Sequence, residues 1–95
     1  MFRLKDGVVI EEVIGDEGII VDTNRGQYLK TNKTALMMIT AATQTQSVED
    51  AVIALSRLTD ADTSVIERDL RALLGRLVEM NLLEHIPTPT QSSSE

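Results

Sequence analysis

The sequence predicts an α+β fold in which a three-stranded antiparallel meander is followed by three helices. Two observations carry this reading. Short β-branched runs separated by Gly-, Asn- and Asp-bearing turns occupy residues 7–31, and from Ala35 onward apolar residues recur at helical spacing. The two patterns meet in Gly26-Gln-Tyr-Leu-Lys-Thr-Asn-Lys-Thr-Ala35, where a strand ending at Thr31 runs directly into a helix capped by Asn32.

The runs Gly7–Ile14 and Gly18–Asp22 are the first two strands, and Gly15-Asp-Glu-Gly18 has the composition of a tight connection. Thr23-Asn-Arg-Gly26 supplies a second turn, since Asn and Gly tolerate positive φ at low cost. Gln27–Thr31 is the third strand. Loops this short leave only an antiparallel meander. In the first helix Ala35, Leu36, Met38, Ile39 and Ala42 form the apolar face, and Thr43-Gln-Thr-Gln46 ends it. Ser47-Val-Glu-Asp50 resembles a capping box with Asp in place of Glu, opening a second helix with Val48, Val52, Leu55 and Leu58 on one face. The third helix runs from about Ser64 to Met80, with Asn81 expected as its left-handed cap. Its buried stripe centres on Ile66, Leu70, Leu73 and Leu77; Val65, Asp69, Ala72 and Arg76 lie on one flank, Glu67, Arg71, Leu74 and Val78 on the other. Leu82–Ile86 is a short apolar coda able to form a last strand. The domain thus spans residues 1–86, and residues 87–95, without apolar content, read as a disordered tail.

Composition removes several classes of function. With 95 residues, only about 60% of the unfolded surface is buried on folding, which leaves room for one modest core and no large internal active site. No cysteine is present, so thiol, disulfide and Cys-zinc chemistry are absent. The single histidine, His85, has no partner at ligand spacing, and no metal or cofactor is expected. Apolar runs fall far short of the ~20 residues that cross a bilayer, and the N-terminus lacks a signal-peptide pattern, so a cytoplasmic protein is expected. A formal charge of −6, with one Tyr, one Phe and no Trp, disfavours nucleic-acid binding. No Gly-rich phosphate loop and no Ser/His/Asp arrangement occurs, and Glu11 and Glu12 point to opposite faces of their strand. The chain reads as a non-enzyme.

The remaining feature is the third strand. Between Thr23 and Val48 there is no Asp or Glu, yet Arg25, Lys30 and Lys33 fall there in an otherwise acidic chain. Three cations keep an exposed strand from pairing with itself, and they also steer an acidic peptide toward it. If this strand is a sheet edge, Gln27, Tyr28, Leu29, Lys30 and Thr31 offer free backbone groups to an added strand. Val65, Asp69, Ala72, Leu73 and Arg76 then form the helical wall of the same groove.

Asn32-Lys33-Thr34-Ala35, flanked by Leu29, Thr31, Met38 and Ile39, resembles the central motif of the PqqD-like family. That motif is a strand ending in an aromatic and a Leu, then Asn-x-Thr-Ala or Asn-x-Thr-Gly, then an aliphatic-Trp pair. Thr31 stands in place of the Leu and Ile39 in place of the Trp. Leu77-Val-Glu-Met-Asn-Leu-Leu83 is similar to the family's C-terminal pattern, with Asn81 in place of Gly. The resemblance implies a winged-helix-like domain that recognises ribosomally synthesised, post-translationally modified peptides. It further implies that the leader segment of a precursor peptide adds antiparallel to the third strand, in a groove bounded by the third helix. The implied partners are this leader and, in the favoured lasso-peptide setting, a separate leader peptidase and a macrolactam-forming cyclase. A pyrroloquinoline quinone precursor-peptide chaperone and a winged-helix DNA-binding module are the alternatives.

Overall fold

The computed structural model describes residues 1–12 and 15–86, with the side chain of Glu12 excepted. The expected tail, 87–95, and the end of the first expected strand, 13 and 14, lie outside them. Within these bounds the meander forms as read, but a further strand precedes it. The elements are β1 (Phe2–Leu4), β2 (Val8–Glu12), β3 (Glu17–Asp22), β4 (Gln27–Asn32), α1 (Lys33–Gln44), α2 (Val48–Ser56), α3 (Thr63–Glu79) and β5 (Leu83–His85). The third strand of the sequence reading is therefore β4.

β2, β3 and β4 form one antiparallel sheet in that order, which leaves β4 as an edge. Strand alternation sends Val8, Ile10, Ile20 and Leu29 toward the helices and Val9, Val21 and Tyr28, a registered row, to the opposite face. Gly18 is needed where it stands: a Cβ built there meets Leu36 Cδ1 at 2.2 Å and Cγ at 2.7 Å, so α1 approaches the sheet only because that side chain is missing. The β3–β4 turn is held by Asp22, whose Oδ1 accepts from the backbone N–H of Asn24 at 3.0 Å and of Arg25 at 3.4 Å, and Gly26 closes it at φ 65°.

Each helix begins where its cap predicts or within a residue of it. Asn32 Oδ1 accepts from the Ala35 N–H at 2.8 Å, and Ser47 Oγ accepts from the Asp50 N–H at 3.0 Å. Asn81 adopts the left-handed conformation, φ 64°. Leu36, Ile39 and Ala42 of α1 and Ala51, Val52 and Leu55 of α2 enter the core. Two positions depart from the expected faces. Leu58 follows the end of α2 and is 67% exposed, because its turn leaves the helical period. On α3 the buried residues are Ile66, Leu70, Leu74 and Leu77, and Leu73 is only half-buried. The stripe is rotated toward Leu74 because that flank faces α2: α3 packs mainly on α2, Arg71 reaches Glu49 of α2 at 3.4 Å, and Leu74 and Val78 border a cavity with Val48 and with Phe2 of β1.

The coda becomes β5 and pairs with β1, Phe2 opposite His85 and Leu4 opposite Leu83. Arg3 and Glu84 form an ion pair across this ribbon, the Phe2 and His85 rings lie 4.9 Å apart, and the Ile86 N–H donates to the Met1 carbonyl at 2.7 Å. The N-terminal strand escaped the sequence reading because three residues are too few for a period, and their partner lies at the far end of the domain.

Candidate functional site

The hydrogen-bond phase of the sheet decides what the edge offers. In an antiparallel pair, opposed residues alternate between those that exchange backbone bonds and those that turn their N–H and C=O away. The Lys33 N–H donates to the Asp16 carbonyl at 2.8 Å in the β3–β4 register. It follows that Thr31, Leu29 and Gln27 bond to Gly18, Ile20 and Asp22. Tyr28 and Lys30 therefore direct both backbone groups to the open side of β4. Of the five sequence-expected strand residues, these two carry the donors and acceptors for an added strand, and Gln27, Leu29 and Thr31 face the helical layer.

Beside this edge the helical layer stands apart. The main neighbours of α3 are α2 and β5, and β4 rests on α1, so a gap opens between β4 and the C-terminal end of α3. A cavity of about 240 Å³ lies there, with Ile20, Leu29 and Leu82 as apolar lining, Met80 at the helix end, and Asp22 and Arg25 at the turn. Gln27 and Tyr28 border it as well. Thus the structure brings Gln27, Tyr28 and Leu29 together with Met80 and Leu82, two residues outside the expected site. Val65, Asp69, Ala72 and Arg76 are exposed on the α3 flank that turns away from α2, with Leu73 half-buried between that flank and the core. They form a continuous helix surface but do not line the cavity at the β4 turn.

Charge at the site is partly compensated within the domain. Asp22, the one buried carboxylate among the described residues, has Arg25 Nε at 3.6 Å, and Lys30 Nζ lies 3.9 Å from Glu17 across the strand pair. Asp69 is held by its neighbour Arg68 at 3.3 Å. Arg76 and Lys33 make no ion pair among the described residues. The missed lining residues had faint signals. Asp22 precedes the turn sequence Thr23-Asn-Arg-Gly26, where a carboxylate folds back on the backbone, and Met80 precedes the left-handed Asn81 that swings Leu82 under the helix end. Among the described residues no group of three His, Asp or Glu side chains is arranged to hold a metal, and no helix is long and apolar enough to cross a membrane.

The sequence profile described as Coenzyme PQQ synthesis protein D (PqqD) matches residues 17–83, more than half of the chain. The chain belongs to the PqqD family. The matched span begins at β3 and ends at β5, so it contains the β4 edge and all three helices of this PqqD-family domain. Among solved structures, the domain is similar to TbiB1 in complex with the TbiA(beta) leader peptide, at TM-score 0.75 and 25% identity over 90% of this chain and 98% of that one. It shares its fold with lasso peptide synthetase B1 complexed with the leader peptide, at TM-score 0.75 and 24% identity over 88% of this chain and 98% of that one. No curated protein matches the chain.

Proposed function

We propose that this PqqD-family domain is a noncatalytic adaptor that binds the leader segment of a ribosomally synthesised precursor peptide. The leader adds as a strand to β4 in the groove beside α3, and the domain presents it to separate modifying enzymes. The observation that carries this reading is the edge itself: β4 ends the sheet with the N–H and C=O of Tyr28 and Lys30 unengaged, and an apolar cavity opens next to it. Backbone bonds supply affinity, and alternate side chains reaching Leu29, Met80 and Leu82 supply selectivity. The leader-bound structures similar to this domain support the same use of the fold.

In this reading Gln27, Tyr28, Leu29, Lys30 and Thr31 form the strand side of the site. Val65, Asp69, Ala72, Leu73 and Arg76 form the helix side, to which Met80 and Leu82 are added. The enzymes served are a leader peptidase and a macrolactam-forming cyclase of a lasso-peptide pathway, acting in the cytoplasm. The test is a fluorescence-anisotropy titration with a labelled leader from the precursor gene neighbouring this one. Saturable low-micromolar or tighter binding is expected, and absence of binding below high micromolar overturns the proposal.

A further inference from the structure

The face of the sheet turned away from the helices is unusually apolar for a surface in contact with water. Val9 is 45% and Tyr28 68% exposed, and Ile19 and Val21 are half-buried between them. Register sets these residues in two rows across the three strands: Val9, Val21 and Tyr28 in one, Glu11, Ile19 and Lys30 in the other. Both rows stop at the open edge of β4, on the two residues whose backbone groups are unengaged. A shallow depression of about 660 Å³ lies over them, bordered by Ile19, Val21, Tyr28 and Lys30 and, on the side away from the open edge, by Glu11 and Glu17.

Directly opposed residues of neighbouring strands put their side chains on the same face. A strand added to β4 must therefore continue both rows. Its residue opposite Leu29 turns toward the α3 groove, and the residues opposite Tyr28 and Lys30 turn outward. We propose that this outward face is a second recognition surface for the bound peptide, taking an apolar side chain opposite Tyr28 and an acidic side chain opposite Lys30. The inference rests on the strand-addition reading above. In an antiparallel strand the residue facing Lys30 comes first, so the selected pattern is Asp or Glu, any residue, then an apolar residue.

Charge favours the acid. The Lys30 side chain is about two-thirds exposed, and the contact of its ammonium with Glu17 is long, at 3.9 Å. Glu11, the one carboxylate of these two rows, sits two strands away, roughly 10 Å by strand spacing and about a Debye length at 0.1 M salt, and Glu17 stands in the next row, opposite Asn32. No Asp or Glu lies between Thr23 and Val48, so the turn and strand nearest the incoming peptide present Arg25, Lys30 and Lys33 without a carboxylate of their own.

The experiment is a selection from an mRNA-displayed library of random 12-residue peptides against the immobilised wild-type domain, Lys30→Glu and Lys30→Gln. Winners on the wild type should share the acid-x-apolar pattern. On Lys30→Glu the first position should change to Lys or Arg while the third stays apolar. On Lys30→Gln the first position should lose its charge preference, and the acid-to-base ratio there should swing at least about twofold, the lower range of exposed ion pairs. Winners whose composition at every position ignores both substitutions overturn the outward surface and leave strand addition standing. Failure of the wild type to enrich any peptide over bare resin overturns the peptide-binding reading itself.

Discussion

Lys30→Pro separates the open edge from the sheet that carries it. The Lys30 N–H points away from β3, so a proline at this position removes no bond of the β3–β4 ladder, and edge strands accept proline on that side. The preceding Leu29 is already extended, as a residue before proline prefers. What disappears is one donor to the added peptide, and the peptide carbonyl it served is left facing a pyrrolidine ring. A backbone hydrogen bond contributes about 1 kcal/mol net, and an acceptor stripped of water and left unpaired costs about 1–3 kcal/mol. At a half-open edge the loss is placed at about 1.5–3 kcal/mol, which weakens binding roughly 10- to 150-fold. Lys30→Ala removes the ammonium but keeps the N–H, so the difference between the two variants isolates the backbone. Leu29→Pro is the structural control: its N–H bonds to Ile20 within the sheet, and its loss should lower Tm strongly. Leader affinity by anisotropy and Tm by circular dichroism are the readouts. Equal affinities for Lys30→Pro and Lys30→Ala, with both folded, would refute strand addition at β4.

Three further outcomes follow from the packing and charges described above. Gly18→Val drives a side chain into Leu36 and should destabilise the domain by about 1–3 kcal/mol in urea unfolding; an unchanged midpoint would mean that α1 moves away from the sheet at little cost. Arg76→Glu and Asp69→Lys lie on exposed positions of the α3 flank and should leave Tm unchanged while altering leader affinity by roughly two- to fivefold, and unchanged affinity in both would place the peptide on another part of the helix. The Arg3 guanidinium, through its hydrogen bond and charge, holds the Glu84 carboxyl below its ordinary 4.5, so the ribbon's ionic stabilisation is present above that value and is lost as pH falls through the lowered one. Wild type should then melt above Arg3→Gln at pH 7 and with it in strong acid, whereas a constant gap down to pH 2 would assign Arg3 a packing role.

Local signals carried most of the fold. Caps at Asn32 and Ser47 act within three residues of themselves, and the turn at Thr23–Gly26 acts within four, so the sequence alone places them. The edge status of β4 was legible for a related reason, since a meander leaves its last strand with one neighbour unless a later element returns. What escaped depends on distance along the chain. β1 has three residues and pairs with β5 at a separation no periodicity records. The rotation of α3 toward Leu74 follows from where α2 sits, and helical spacing alone does not rank Leu73 against Leu74. For the same reason the sequence reading placed the groove wall along α3 without Met80 and Leu82, which reach the cavity only because Asn81 reverses the chain direction there.

The β1–β5 ribbon has a kinetic consequence. Its Arg3–Glu84 pairing joins residues 81 positions apart, while β2 and β3, and β3 and β4, are separated by only a few residues of sequence. Loop closure is slower and entropically costlier for the former. The meander with its open edge can therefore assemble while β1 and β5 are still apart, and the ribbon is expected to close after it. In the native state the order reverses: amides of β1 and β5 should exchange with deuterium through opening events that leave β3 and β4 protected. Opening of the β1–β5 ribbon and loss of the β4 edge are then separate events, with separate rates.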